Sequence, residues 1–264
     1  MNTHKKGQIE SGKIVIMDIF TNFWFCIPTY QRSYVWGKDE VSELIDDVKY
    51  ASENSPDSQY FLGSMVLQKR AEVVLYQNNN FDFDVHDVLD GQQRLTSIFL
   101  MIAVIRDLAE EKDLRDNCQN MLFQKENRWT RTPCRNRLVY QIRDDVGIFI
   151  NDFIIPIDGT KNNDILVKKV DENNLSIANM AKAVIFMRNH FSKWSIDDLN
   201  KFTNYLFHNA LFIYVSSEDL DDAFRLFTIL NDRGIPLSNS DILKARNLGM
   251  VSNTTDNAKK LYKN

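Results

Sequence analysis

Residues 85–97, Val-His-Asp-Val-Leu-Asp-Gly-Gln-Gln-Arg-Leu-Thr-Ser, constrain the fold of this chain more than any other stretch. The apolar run of Val85, Val88 and Leu89 stops at Asp90-Gly91, and from Leu95 onward Ile98, Phe99, Ile102, Ile105 and Ala109 recur with helical spacing. The switch of period predicts a strand, a tight turn, and an amphipathic helix of roughly four to five turns. Such a turn has its own chemistry. The first N–H groups of a helix lack intrahelical partners and carry the positive end of the dipole. Gly91 admits an anion close to the backbone. Arg94 adds a planar guanidinium within the first turn, and Gln92 and Gln93 add neutral donors. Together these residues predict a phosphate cradle at a helix mouth. Asp90 would repel a phosphate unless it caps the helix or Mg²⁺ bridges the two. The competing reading is a plain capped core helix with Arg94 ion-paired to a neighbour.

Composition narrows the class. The chain has 264 residues, 44% apolar and 11% aromatic, enough for a real core in one large domain or two that share an interface. Only 9 Gly and 5 Pro exclude a linker-rich or fibrous protein. A formal charge of −4 argues against a general polyanion or membrane-surface binder, while leaving room for a local basic patch. Cys26, Cys118 and Cys134 are widely spaced without a C-x-x-C pair, which fits reduced thiols in a cytoplasmic protein. The apolar patch at 14–20 is short and broken by Asp18, so neither a signal peptide nor a membrane span is expected.

Around the central stretch, 23–27 reads as a strand ended by Pro28, and 38–51 as a surface helix with Val41, Leu44, Ile45 and Val48 inward. Segments 60–68 and 71–77 read as a hairpin turned at Lys69-Arg70, with a second turn at 78–80. Three antiparallel strands would then deliver Asp90 to the end of the sheet, with a bulge near Asp87-Val88 where alternation breaks. His86, a lone strand histidine, is expected to face solvent. The cluster Gln31, Arg32, Tyr34 and Trp36 suits either phosphate and base contact or a core with a salt bridge. Lys125, Arg128, Arg131, Arg135 and Arg137 interleave with Trp129 and Tyr140, a pattern shared by single-strand nucleic-acid sites and by solvated loops. Past residue 176 the pattern is mainly helical, with a strand candidate at 210–215. A helix stopped at Gly234 and another over 241–247 follow.

Three stretches in fixed order carry a resemblance. They are Ile27-Pro28-x-x-Gln31-Arg32-x-Tyr34-x-Trp36, then Asp90-Gly-Gln-Gln-Arg94-Leu-Thr-Ser, then the run from Phe227 through Asn231-Asp232-Arg233-Gly234 to Asp241 and Lys244. This arrangement resembles the N-terminal domain of GmrSD-type restriction endonucleases, itself similar to the ParB/sulfiredoxin superfamily. The resemblance implies an α+β fold. A ParB-like nucleotide-binding module would occupy residues 1–112, with a mainly helical extension at 113–264 packed on it. It implies nucleotide contact by Gln31 and Arg32. Asn231 and Arg233 would either point into the same pocket or merely close a turn. An NTP would be bound or hydrolysed, with Asp90 and Arg94 catalytic and Asp90 holding Mg²⁺ or orienting water. The regulated nuclease would be an HNH domain, either in a longer chain or in a partner subunit, because His4, His86, His190 and His208 are all isolated. The polar C-terminal stretch favours a fragment of a longer chain. The alternative is a non-enzymatic module that recognises DNA through Arg128–Arg137 or contacts a protein. DNA nicking by this domain ranks last, since no two-metal carboxylate set is visible.

Overall fold

The computed structural model describes residues 9–76, 79–130, 132–141 and 144–231. The N-terminal apolar patch divides between a strand, β1 (Ile9–Val15), and a helix, α1 (Ile16–Asn22). β2 (Trp24–Ile27) stops where Pro28 removes the next ladder N–H. α2 (Lys38–Asn54) buries Val41, Leu44, Ile45 and Val48, the stripe its spacing predicts. β3 (Tyr60–Tyr76) and β4 (Asn79–Asp90) form a long hairpin, and α3 (Gln92–Leu108) and α4 (Lys112–Leu122) follow. A small ladder of β5 (Phe123–Gln124) with β6 (Arg135–Asn136) precedes β7 (Leu138–Tyr140). Next come α5 (Asp144–Phe149), which widens into a π turn over Ile150–Ile154, and α6 (Asn163–Lys169). α7 (Leu175–Phe191), α8 (Ile196–His208), β8 (Ala210–Ser217) and α9 (Leu220–Asn231) complete the described chain. Among the described residues no helix is long and apolar enough to cross a membrane. Arg131, Arg233, Gly234 and the helix expected over 241–247 lie outside the described residues.

Among the described residues the main sheet has six strands in the order β1-β8-β3-β4-β2-β7. β8 lies parallel to β3 and antiparallel to β1, while β2 lies parallel to both β4 and β7. Mixed pairing with helices packed on it makes this an α+β fold, as expected. Strands from both sides of residue 112 share the one sheet.

Three expectations are corrected. No turn exists at Lys69-Arg70, so the hairpin and the three antiparallel strands become one 17-residue strand facing β4. The two cations are cross-strand residues: Lys69 pairs with Asp84 at 3.0 Å, and Arg70 Nε donates to both Asp87 oxygens at 3.0 Å. Further along the same face, Glu72 accepts from Arg70 at 3.1 Å and from Arg135 at 2.7 Å. Nor is α3 amphipathic. Every residue from Leu95 to Asp107 is buried, because the helix threads the middle of the core with α4 and α7 against it. His86 is corrected as well: it is only 5% exposed and stacks on Phe23 with ring centroids 4.5 Å apart.

Alternate strand residues face opposite sides of the sheet. Leu67 and Val88 belong to the main core, whereas Val66 and Leu89 pack with Ala223 and Phe227 of α9 in a separate cluster. The bulge predicted near Asp87-Val88 falls at Leu89. Val66 pairs with Asp90 and Leu67 with Val88, which leaves Leu89 as the extra residue.

Candidate functional site

The bulge aims the end of β4, and Gly91 makes the turn. Its backbone is left-handed (φ 91°, ψ 2°), and a Cβ there would sit 2.8 Å from Met65 Cγ. Glycine is the residue that meets both demands. Leu95 N–H closes the first helical bond onto the Gly91 carbonyl at 3.0 Å. The Asp90 carboxylate accepts the Gly91 N–H. Burial raises its pKa, and that N–H, Arg94 and Arg32 pull it back down. No side chain caps α3.

The glutamines fasten the 28–36 loop across the helix mouth. Gln31 Nε2 donates to the Leu89 carbonyl at 2.8 Å, Gln92 Nε2 to the Arg32 carbonyl at 3.0 Å, and Gln93 Nε2 to the Ser33 carbonyl at 3.0 Å. Gln93 Oε1 in turn accepts Val35 N–H at 2.8 Å and Trp36 N–H at 3.2 Å. Below the loop Tyr34 is buried, its hydroxyl 2.7 Å from Ser97 Oγ. Two residues of the first turn of α3 thereby set the path of a loop about sixty positions upstream, and Arg32 and Trp36 ride on it.

A cavity of about 460 Å³ opens at this point. It is lined by Gln31, Arg32, Asp90, Gly91, Gln92, Gln93 and Arg94, all expected from the sequence, and by Trp36, Phe61, Gly63, Ser64 and Leu89. The Arg94 guanidinium lies over Gly63, where Nη1 would be 2.0 Å from an added Cβ, and Cζ is 6.0 Å from the Trp36 ring centre. Among the described residues neither Arg32 nor Arg94 forms an ion pair, so the ion-paired core-helix reading of Arg94 does not hold there. Asn231 ends α9 with its side chain outside the described set, and Arg233 lies beyond it.

Sequence reasoning missed Phe61, Gly63 and Ser64. A glycine inside a strand marks close approach, and Gly63 (φ 127°) carried that signal. Among the described residues no group of three or more His, Cys, Asp or Glu could hold a metal ion. Asp90 is the one carboxylate that lines this cavity among the described residues.

The fold and the mouth of α3 bear on kinship. No curated protein matches the chain. The family described as "GmrSD restriction endonuclease, N-terminal domain" matches residues 15–248, and those limits take in the 28–36 loop, the Asp90–Arg94 turn and α9. A match over that much of the sequence makes the chain a member of the GmrSD restriction endonuclease N-terminal domain family, a domain of restriction systems.

Proposed function

We propose that this domain binds and hydrolyses a nucleoside triphosphate and thereby regulates a restriction nuclease. The carrying observation is the pair of guanidinium groups, free of ion pairs among the described residues, that border a cavity floored by a helix N-terminus. In this reading the backbone N–H groups of Gln92 and Gln93 donate to phosphate oxygens, and Arg32 and Arg94 balance the charge that grows in the transition state. Asp90, the one carboxylate lining this cavity among the described residues, directs a water at the terminal phosphorus and takes its proton. The phosphoanhydride bond breaks and the diphosphate leaves with the bonding electrons. In the alternative role for Asp90, its carboxylate would instead hold Mg²⁺, which when bound would neutralise phosphate charge. An HNH nuclease, in a longer chain or a partner subunit, would receive the signal. Turnover of GTP, ATP, CTP and dNTPs by wild type, Arg94→Ala and Asp90→Ala tests this. Arg94→Ala is expected to weaken binding about tenfold or more, and Asp90→Ala to lower turnover about a hundredfold while keeping binding. Neither turnover nor calorimetric binding by the wild type would reject it.

One observation favours a DNA-recognition role as a second reading. Trp129 is 97% exposed at the tip of the β5–β6 segment, beside an exposed Arg128. The tip is held in shape by Asn127 Oδ1, which accepts Trp129 N–H at 3.0 Å and Thr130 N–H at 3.1 Å. Trp129→Ala and Arg128→Glu should then reduce a salt-dependent affinity for DNA. DNA binding identical in wild type and both variants would remove this reading.

A further inference from the structure

A second cavity of about 340 Å³ adjoins the cradle and shares Trp36, Phe61, Gly63 and Arg94 with it. Its chemistry is opposite. Beyond Arg94 the lining turns acidic, with Glu40, Glu43 and Asp47 on α2 facing Tyr60 and Phe61 at the start of β3. We propose that this lobe seats the nucleoside of the nucleotide whose phosphates lie at the mouth of α3, a proposal that rests on the reading above.

The shared wall carries the argument. Phe61 is 53% exposed, a large aromatic left open on a strand exactly where the two lobes join, and Trp36 stands on the same wall. A flat ring system can lie against such a surface. The carboxylates keep further phosphate out and accept hydrogen bonds from N–H or O–H groups, which nucleosides display on the sugar and on the ring edge. Glu40 is engaged by Gly37 N–H at 2.8 Å, and Asp47 by the Tyr60 hydroxyl at 2.9 Å. Glu43 makes no hydrogen bond or ion pair among the described residues and is the freest acceptor in the lobe. Carboxylates alone would suit any cation. The aromatic wall, and the junction with an anion-binding mouth, select a molecule that is anionic at one end and flat with donors at the other.

Calorimetry on the intact chain tests this, with GTP, UTP, dGTP and sodium tripolyphosphate as probes and Phe61→Ala and Glu43→Gln as variants. Both substituted residues are exposed, so the fold should survive. Each variant is expected to weaken GTP and UTP about tenfold, and Glu43→Gln, whose residue lies outside the cradle's lining, to leave tripolyphosphate affinity unchanged. If dGTP shows no Glu43→Gln effect, the carboxylate reads the 2′-hydroxyl; if it shows the full effect, the carboxylate reads the ring or the 3′-hydroxyl, and either result supports the site. Wild type that binds tripolyphosphate as tightly as GTP, or variants that bind nucleotides like wild type, would overturn the proposal and leave the phosphate cradle standing. Wild type that binds no probe would bring down the cradle as well.

Discussion

Two left-handed glycines set the geometry of the cradle from opposite sides. Gly91 turns the chain into α3, and Gly63 leaves room for the Arg94 guanidinium. Gly63→Ala would place a methyl where Nη1 now sits, on a backbone that side chains rarely adopt. It should lower nucleotide affinity about tenfold by displacing the cation, with far-UV circular dichroism unchanged. Gly147→Ala, where an added Cβ meets nothing within 4 Å, is the matched control and should leave affinity intact. Asp90 adds a pH argument. Burial raises its folded pKa, so the unfolded chain gives up this proton first. Its contribution to stability is present below the ordinary carboxylate range and is lost as pH rises through the raised value. Asp90→Asn should therefore raise the urea midpoint at pH 7 while lowering turnover about a hundredfold. A lower midpoint would show that the charged carboxylate stabilises the fold.

Among the elements, those set by local signals were legible in the sequence. The strand–turn–helix at Asp90–Gly91 announces itself because the apolar period changes at a glycine, α2 by its stripe, and the end of β2 by Pro28. The extent of β3 was not legible. Lys69-Arg70 looks like a turn until Asp84 and Asp87 stand opposite, and those partners arrive only with the fold. The glutamines of the central motif read as ligand donors for the same reason, since the loop they fasten lies about sixty residues away. His86 shows the cost of burial within β4. Desolvation and the nearby Lys69 hold its pKa down to about 4 from an ordinary 6.5, and its Nδ1 is buried without a hydrogen-bond partner. Between those values the unfolded chain binds the extra proton, so stability should fall as pH drops from about 6.5 to about 4 and then level off. Replacing the ring in His86→Leu should flatten that slope in chemical denaturation measured at a series of pH values. An unchanged slope would assign the acid sensitivity elsewhere.

At the scale of the whole molecule, closure depends on segments distant in sequence. β8 enters the sheet between β1 and β3, and α7 covers the flank of α3. Arg106, 0% exposed at the end of α3, pairs with Asp107 at 2.7 Å and donates to the carbonyls of Ile154, Ile155 and Pro156. Asp107 in turn accepts Asp158 N–H at 2.9 Å and Thr160 N–H at 3.0 Å. A buried pair so fully hydrogen-bonded ties the central helix to the chain that follows it, and removing one partner strands the other charge without solvent. Arg106→Leu should cost about 3–5 kcal/mol. The loss should appear equally in tryptophan fluorescence and far-UV circular dichroism, because Trp36 and Trp194 pack against the same core cluster as the residues of α3. A chain cut after residue 112 loses both β8 and α7, which leaves β1 without its neighbour and α3 facing water. Such a fragment is expected to lack cooperative unfolding. A sharp thermal transition in it would show instead that the first half carries a self-sufficient core and that the later strand and helix merely dock on it.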